Sequence, residues 1–358
     1  MNDVAELKRY AIVHARGLEI SGYGRLLDRI TEDGAGPGSW AGEWSAEGDR
    51  LAAAGRDLEA SRHYLMARFP FVDGPARQAA YDKSLETFQR WSAGKGITKE
   101  HIEVDGTRLG IWQTGLSAAK PRPLLLVTGG FITLKEQWAP ALPIFARLGM
   151  AAVALEMPGV GENPLAYDGD SWRFLSGVID AIGGRADASR TYALAMSFAG
   201  HQALRCAMDD PRIRGVLTVG APVTDFFTDQ VWQKDLPRIT VDTLAHLSGT
   251  DLDGLRSWAL PAGRLAGLDV PVAYVASRRD EIIPPADPLR LREHVRDLRL
   301  LEHDDVHGSP AHVEETKLWL GLELLRMRGA RGPMPALLNL MLAVERTKAR
   351  LLRARRAK

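Results

Sequence analysis

Apolar positions along the first 97 residues recur at helical spacing. Val4, Leu7 and Ala11 form one stripe, Leu51, Leu58, Tyr64 and Leu65 a second, and the pattern resumes from Gln78 to Trp91. Gly34, Gly36, Pro37 and Gly38 separate the first stretch from the next, and Pro70 and Pro75 separate the second from the third. The pattern predicts a helical module over residues 1–97.

From residue 98 the texture changes. Short apolar runs at 124–127, 151–155, 191–196, 215–219, 272–276 and 298–301 are bounded by Gly, Pro or polar residues. They are too short for helices and have the continuous apolar character of strands buried on both faces. Helical stretches fall between them at 136–148, 171–182, 199–208 and 288–296. The alternation predicts an α/β domain over 98–325, a mostly parallel central sheet flanked by helices, with the N-terminal helices as a separate module. Residues 222–262 interrupt it with a long connection carrying Phe226, Phe227, Trp232 and Trp258, the expected place for a lid. Residues 326–358 are expected to form a basic C-terminal helix, weakly amphipathic through Met341, Val344, Leu351 and Leu352.

Composition narrows the partners more than the fold. The 358 residues are 45% hydrophobic and 25% charged, with a formal net charge of +1. That balance gives no electrostatic reason to expect nucleic acid or membrane as a partner. A single cysteine, Cys206, leaves no intrachain disulfide, and the N-terminus is charged from its third residue without an apolar signal core. No apolar run approaches bilayer length, so a cytoplasmic protein is expected. There is no His/Cys ligand cluster, dinucleotide fingerprint or P-loop, so neither a metal nor an organic cofactor is expected. A small-molecule substrate is the expected partner; a homodimer is left open.

The chemistry concentrates at three strand ends. The strand over 191–196 runs into Ala195-Met196-Ser197-Phe198-Ala199-Gly200 and then into a helix. A serine at such a strand–turn–helix junction, with small residues two before and two after it, has the form of a nucleophile elbow. The usual flanking glycines are alanines here, and a serine capping a buried helix is the competing reading of this segment alone. After 124–127 comes Thr128-Gly129-Gly130-Phe131, where the glycines let backbone N–H groups turn inward. The amides of Phe131 and Phe198 are the expected oxyanion donors. Asp280 follows the strand over 272–276, and His307, beside Gly308, follows the strand over 298–301. Neutral serine is a poor nucleophile, so an imidazole must take its proton and a carboxylate must hold that imidazole in the right tautomer. The order Ser197, Asp280, His307 is that of the α/β-hydrolase fold. Among competitors, His303 is a rival base and Asp225 an alternative acid or substrate contact. His201 and Cys206 are expected in the core, and Glu281 and Asp305 in solvent.

With these residues assembled, residues 98–325 resemble the α/β-hydrolase superfamily. Glu156-Met157-Pro158-Gly159-Val160-Gly161 resembles its turn D-x-P-G-x-G, with Glu in place of Asp. The helical module in front is similar to the FrsA-like esterase group, which includes hydrolases of pseudooxynicotine-type diketones and fungal polyketide-shortening enzymes. The resemblance implies that residues 1–97 cap the site, that Ser197, Asp280 and His307 form the triad, and that Phe131 and Phe198 supply the oxyanion hole. A narrower resemblance is to hydrolase-like enzymes of tetronate pathways that remove acetate from an O-acetylated ring and leave an exocyclic alkene.

The leading expectation is cleavage of an ester or acyl bond of a polyketide-like small molecule, with Gly130, Asp225 and Trp172 as substrate contacts. The first alternative is a carbon–oxygen lyase in which His307 takes a carbon-bound proton and acetate leaves. The second is a non-catalytic ligand-binding module, against which the full set of Ser, Asp and His argues.

Overall fold

In the computed structural model, which describes residues 2–356, eight strands form one sheet in the order β1-β2-β4-β3-β5-β6-β7-β8. They are β1 (Thr98–Val104), β2 (Thr107–Thr114), β3 (Pro123–Thr128), β4 (Ala151–Leu155), β5 (Asp187–Ala195), β6 (Ile213–Val219), β7 (Val272–Ser277) and β8 (Leu298–His303). β1 pairs antiparallel with β2, and β2 antiparallel with β4; every later pairing is parallel. All five residues of β4 are buried, as the unbroken apolar run requires of a strand covered on both faces. Because β3 and β5 to β8 run parallel, their C-terminal ends lie along one edge, and the loops they feed meet there.

Five helices precede the sheet: α1 (Val4–Gly17), α2 (Tyr23–Arg29), α3 (Trp40–Ala53), α4 (Asp57–Arg68) and α5 (Pro75–Ser92). Three of their starts are chemically marked. The Asp3 carboxylate accepts from the N–H groups of Ala5 and Glu6, the Ser39 hydroxyl accepts from Gly42, and Pro75 opens α5. Trp40 and Trp44 are fully buried within this layer, and Trp40 Nε1 donates to the Met66 carbonyl at 2.8 Å. Buried Arg77 ties α5 to the preceding loops through Asp33 at 2.7 Å and Asp73 at 2.9 Å.

Helices α6 (Leu142–Arg147), α7 (Phe174–Ile182) and α8 (Phe198–Ala207) flank the sheet. The long connection after β6 holds the short α9 (Asp225–Thr228) and α10 (Gln230–Gln233), then α11 (Arg238–Ser248) and α12 (Ala262–Ala266). Its root is fixed by the buried Asp287 carboxylate, which accepts from the N–H groups of Val223, Thr224 and Asp225 at 2.9, 2.8 and 2.7 Å. The Glu6 carboxylate in α1 accepts from Arg238 and Ile239 at 2.8 and 3.0 Å, placing an acid at the N-terminus of α11. The N-terminal helices and the connection after β6 are thus hydrogen-bonded to each other. The chain ends in α13 (Ala286–His294), α14 (Val313–Met327) and α15 (Pro333–Arg356).

Two elements differ from the pattern reading. The β1–β2 hairpin escaped it because β1 is half-exposed and mixed in polarity; its signal was the Asp105-Gly106 turn, where both residues have positive φ, 49° and 74°. The helix expected over 136–148 is reduced to two 3₁₀ turns and α6, since Pro140 and Pro143 interrupt it. The tail helix begins at Pro333; Leu338 and Leu342 pack inward while Leu337, Leu340, Met341 and Val344 are exposed. Residues 357–358 of that tail, and the Leu352 side chain, lie outside the described residues. Among the described residues no helix is long and apolar enough to cross a membrane.

Candidate active site

Ser197 sits between β5 and α8 with φ 52° and ψ −125°, a conformation that few non-glycine residues adopt. Two backbone bonds hold it there: Ser197 N–H to the Val219 carbonyl at 2.8 Å and Met196 N–H to the Thr128 carbonyl at 2.9 Å. The alanines at 195 and 199 are buried without difficulty, because the tightest approach falls on Gly200. A Cβ at Gly200 would overlap the Thr218 hydroxyl and come within 2.8 Å of the Ala221 methyl. The sharp turn therefore survives the loss of both flanking glycines.

Ser197 Oγ lies 3.1 Å from His307 Nε2, and His307 Nδ1 lies 3.0 and 2.9 Å from the two Asp280 oxygens. Asp280 Oδ1 also accepts from the N–H groups of Ile282 and Ile283 at 2.9 and 2.8 Å, which fixes the carboxylate before any substrate arrives. In this arrangement Nδ1–H donates to Asp280, and the Nε2 lone pair faces the serine. Burial alone would depress the His307 pKa. The Asp280 charge and hydrogen bond, with Glu281 adding to them, outweigh burial and leave it raised above the ordinary value.

The loop after β3 approaches the serine closely. A Cβ at Gly130 would sit 3.2 Å from the Ser197 Cβ, so a side chain there would press on Ser197. The N–H groups of Phe131 and Phe198 donate to no protein acceptor among the described residues, and the two rings meet at 4.6 Å between centroids. Below this loop, Lys135 is fully buried with its Nζ 3.1 Å from Glu136, 3.2 Å from Glu156 and 2.7 Å from Glu162. Glu156 is the residue that replaces Asp in the turn after β4. Burial raises its pKa to about 7, with Lys135 opposing the shift and Glu136 adding to it.

Other residues singled out from the sequence take no part in the hydrogen bonds among the Ser197, His307 and Asp280 side chains. Asp225 is not brought to His307; it pairs with Arg290 at 3.0 Å. Trp172 packs between Arg173 and Arg205, with the guanidinium carbons 4.6 and 4.4 Å from its ring, beside a small cavity shared with His201 and Gln202. His303 is buried, stacked on His312 at 4.3 Å, and burial lowers its pKa to about 4, which leaves it a poor base. His201 is a core histidine whose Nε2 lies 2.9 Å from the Trp258 carbonyl oxygen. Cys206 is fully buried, and burial pushes its thiol up to about 12. Of the two acids expected in solvent, Glu281 is half-buried and Asp305 is buried. Glu281 accepts from the His307 N–H at 3.1 Å, and Asp305 is buried, accepting from Val306 and Ala311 at 2.9 and 2.7 Å. Backbone donors of its own loop, with the His312 ring at 2.9 Å, override the solvation preference of Asp305.

Sequence reasoning also missed Gly220, directly after β6. It has φ +59°, and a Cβ there would sit 2.9 Å from His307 Cε1. A glycine closing an apolar strand at the catalytic edge was the available signal. Asp287 and Lys135 carried none, since their roles depend on backbone and carboxylates distant in sequence.

A family model described as Esterase FrsA-like matches residues 37–260. The solved structure of wild-type AbyA5 is 50% identical, with a TM-score of 0.92 over 96% of this chain and 99% of that one. The 2,6-dihydropseudooxynicotine hydrolase of Paenarthrobacter nicotinovorans is 25% identical over 284 residues, 71% of this chain and 75% of that protein. Esterase FrsA of Pectobacterium atrosepticum is 27% identical over 63% of this chain, which spans 59% of that esterase.

Proposed function

Because this chain belongs to the FrsA-like esterase family, we propose that Ser197, His307 and Asp280 act on an O-acyl group of a polyketide-like small molecule. The reaction we assign is expulsion of acetate from an O-acetylated, tetronate-type ring, leaving an exocyclic alkene. The observation that carries the reading is the Ser197–His307–Asp280 relay, beside which the N–H groups of Phe131 and Phe198 donate to no protein acceptor among the described residues. Likeness to AbyA5 at 50% identity over nearly the whole chain, against 25% for the pseudooxynicotine hydrolase, supports the narrower of the two sequence resemblances.

Elimination makes modest demands that these residues meet. His307 Nε2 takes the proton from the ring carbon next to the acetoxymethyl group. The C–H electron pair becomes the new C=C bond, the C–O bond breaks, and its pair leaves on acetate. Charge gathering on the departing acyl oxygens is met by the N–H groups of Phe131 and Phe198. No water atom enters either product.

Hydrolysis is the second reading, favoured by the 3.1 Å contact between Ser197 Oγ and His307 Nε2. There Ser197 attacks the acetyl carbonyl, His307 takes its proton, and water later frees the acid. Reaction of an O-acetylated tetronate in ¹⁸O-labelled water separates the two. We expect unlabelled acetate and a dehydrated, alkene-bearing ring; labelled acetate with a hydroxymethyl ring overturns elimination in favour of hydrolysis.

A further inference from the structure

Arg68, the last residue of α4, is 5% exposed and has no carboxylate within ion-pair distance among the described residues. Its environment differs from that of the other buried cations. Arg77 is paired with Asp33 and Asp73, and Lys135 with three glutamates. Arg68 makes one hydrogen bond, from Nη1 to the Ile132 carbonyl at 2.8 Å. A guanidinium carries five N–H donors in a planar fork, so four remain. Burial lowers the Arg68 pKa to about 10; Tyr81, Glu156 and Glu136 partly offset this, while Arg77 adds to it.

The place of this cation is informative. Ile132 directly follows Phe131, the proposed oxyanion donor, so the fork is anchored on the loop after β3 that carries it. From α1, His14 is held neutral, its pKa lowered to about 4 by burial, then by His307 and by Arg68. The His14 ring lies 5.2 Å from that of Phe69, the residue after Arg68, and its neighbour Val13 lies against Gly308, the residue after His307, so α1 spans from the guanidinium's end of α4 to the His307 loop. A buried, unpaired cation beside a reaction centre is costly to keep unless an anion arrives to meet it.

We propose that Arg68 is the anion-recognition residue of this site, binding a negatively charged oxygen of the substrate's ring. The proposal rests on the tetronate-type reading above. The enol of such a ring is a vinylogous carboxylic acid, ionised at neutral pH, and its enolate oxygen suits charge-assisted hydrogen bonds from a guanidinium. The opposing account makes Arg68 a strut that ties α4 to the Ile132 carbonyl and balances the glutamates around Lys135.

The test uses binding and turnover on the full-length protein. Binding of an unreactive 5-alkyl tetronic acid is compared with that of its enol methyl ether by calorimetry at neutral pH. Turnover is compared for the corresponding 5-acetoxymethyl acid and its methyl ether. We expect the wild type to prefer the ionised ring, and Arg68→Gln to weaken its binding by about 10–100-fold, a loss typical of charge-assisted hydrogen bonds. In turnover this is expected as a rise in KM with kcat less affected; Arg68→Lys restores part of the affinity, and binding of the methyl ether changes little. Equal binding of the acid and ether by the wild type overturns the proposal. So does an equal loss of both in Arg68→Gln, which is the behaviour of a strut. Charge-dependent binding without release of acetate leaves Arg68 as proposed and removes the acetate reaction instead. Inhibition by free acetate that weakens in Arg68→Gln, with ring binding unchanged, assigns the guanidinium to the leaving group and also overturns the proposal.

Discussion

The α-carbon of Gly220 lies against the edge of the His307 ring, so close that an added methyl would stand 2.9 Å from Cε1 and 3.2 Å from Nδ1. The same methyl would be 3.5 Å from an Asp280 oxygen. The space that lets the imidazole stand between Asp280 and Ser197 is therefore made by a residue with no side chain.

Gly220→Ala is expected to push His307 off that line and to lower kcat/KM by about a hundredfold, the scale of an ångström-sized misplacement. Its positive φ also strains alanine, by roughly 1 kcal/mol. Gly55→Ala separates the two effects, since Gly55 has φ +70° but nothing within 4 Å of the added methyl. The control should lose stability in thermal melts and keep its activity. An equal loss of activity in both variants overturns the steric account.

The acid limb of the pH–rate profile should report His307. The base must be neutral to take a proton, and its pKa is raised above the ordinary histidine value, so activity is expected to fall as pH drops through a point above about 6.5. Asp280→Asn removes the charge that opposes burial. The limb should then move to lower pH while kcat/KM at the optimum drops by up to about ten-thousand-fold. The linkage has the opposite sign for stability. Protonated His307 favours the folded state, a contribution full below the unfolded pKa and lost as pH rises through the folded one. Thermal melts of wild type and Asp280→Asn across that window check this: the gap between them should narrow as pH rises.

Glu156 gives a second pH signature, distinct from catalysis. Its folded pKa, about 7, lies above the free value of 4.5, so the folded state holds the proton more tightly. This contribution to stability declines as pH rises through that interval. Glu156→Gln removes it. Relative to wild type, the Tm of the variant is expected to improve between about pH 5 and pH 8; a constant or widening deficit overturns the raised pKa of Glu156.

What the sequence revealed follows the reach of its signals. The run over 191–196 before Ser197 and the runs before Asp280 and His307 announced buried strands, because continuous apolar stretches bounded by polar residues have few other uses. Loops at the ends of parallel strands meet by topology, so the order Ser197, Asp280, His307 sufficed to bring the three into one site. The β1–β2 hairpin was obscured by its half-exposed polar residues, although Asp105-Gly106 marked its turn. Arg68 was invisible for another reason. Nothing local distinguishes an arginine at a helix end that will be solvated from one that packs onto a carbonyl 64 residues away.

Comparison of Ser197→Ala with His307→Ala separates the two reaction schemes. In a covalent triad the serine and histidine act as one unit, and removing either costs about as much, on the order of a million-fold in kcat in a serine protease. In elimination the proton passes from carbon to His307 Nε2, and no bond to Ser197 forms. The hydroxyl 3.1 Å from that nitrogen then only orients the imidazole, a role worth about 10- to 100-fold. His307→Ala should therefore abolish acetate release while Ser197→Ala retains a measurable fraction, a gap of several orders of magnitude in kcat. Both rates are to be measured on the same O-acetylated tetronate, with circular dichroism to verify folding. Losses within about tenfold of each other, together with an acyl adduct on Ser197 in intact-protein mass spectra, make Ser197 the nucleophile and the enzyme a hydrolase.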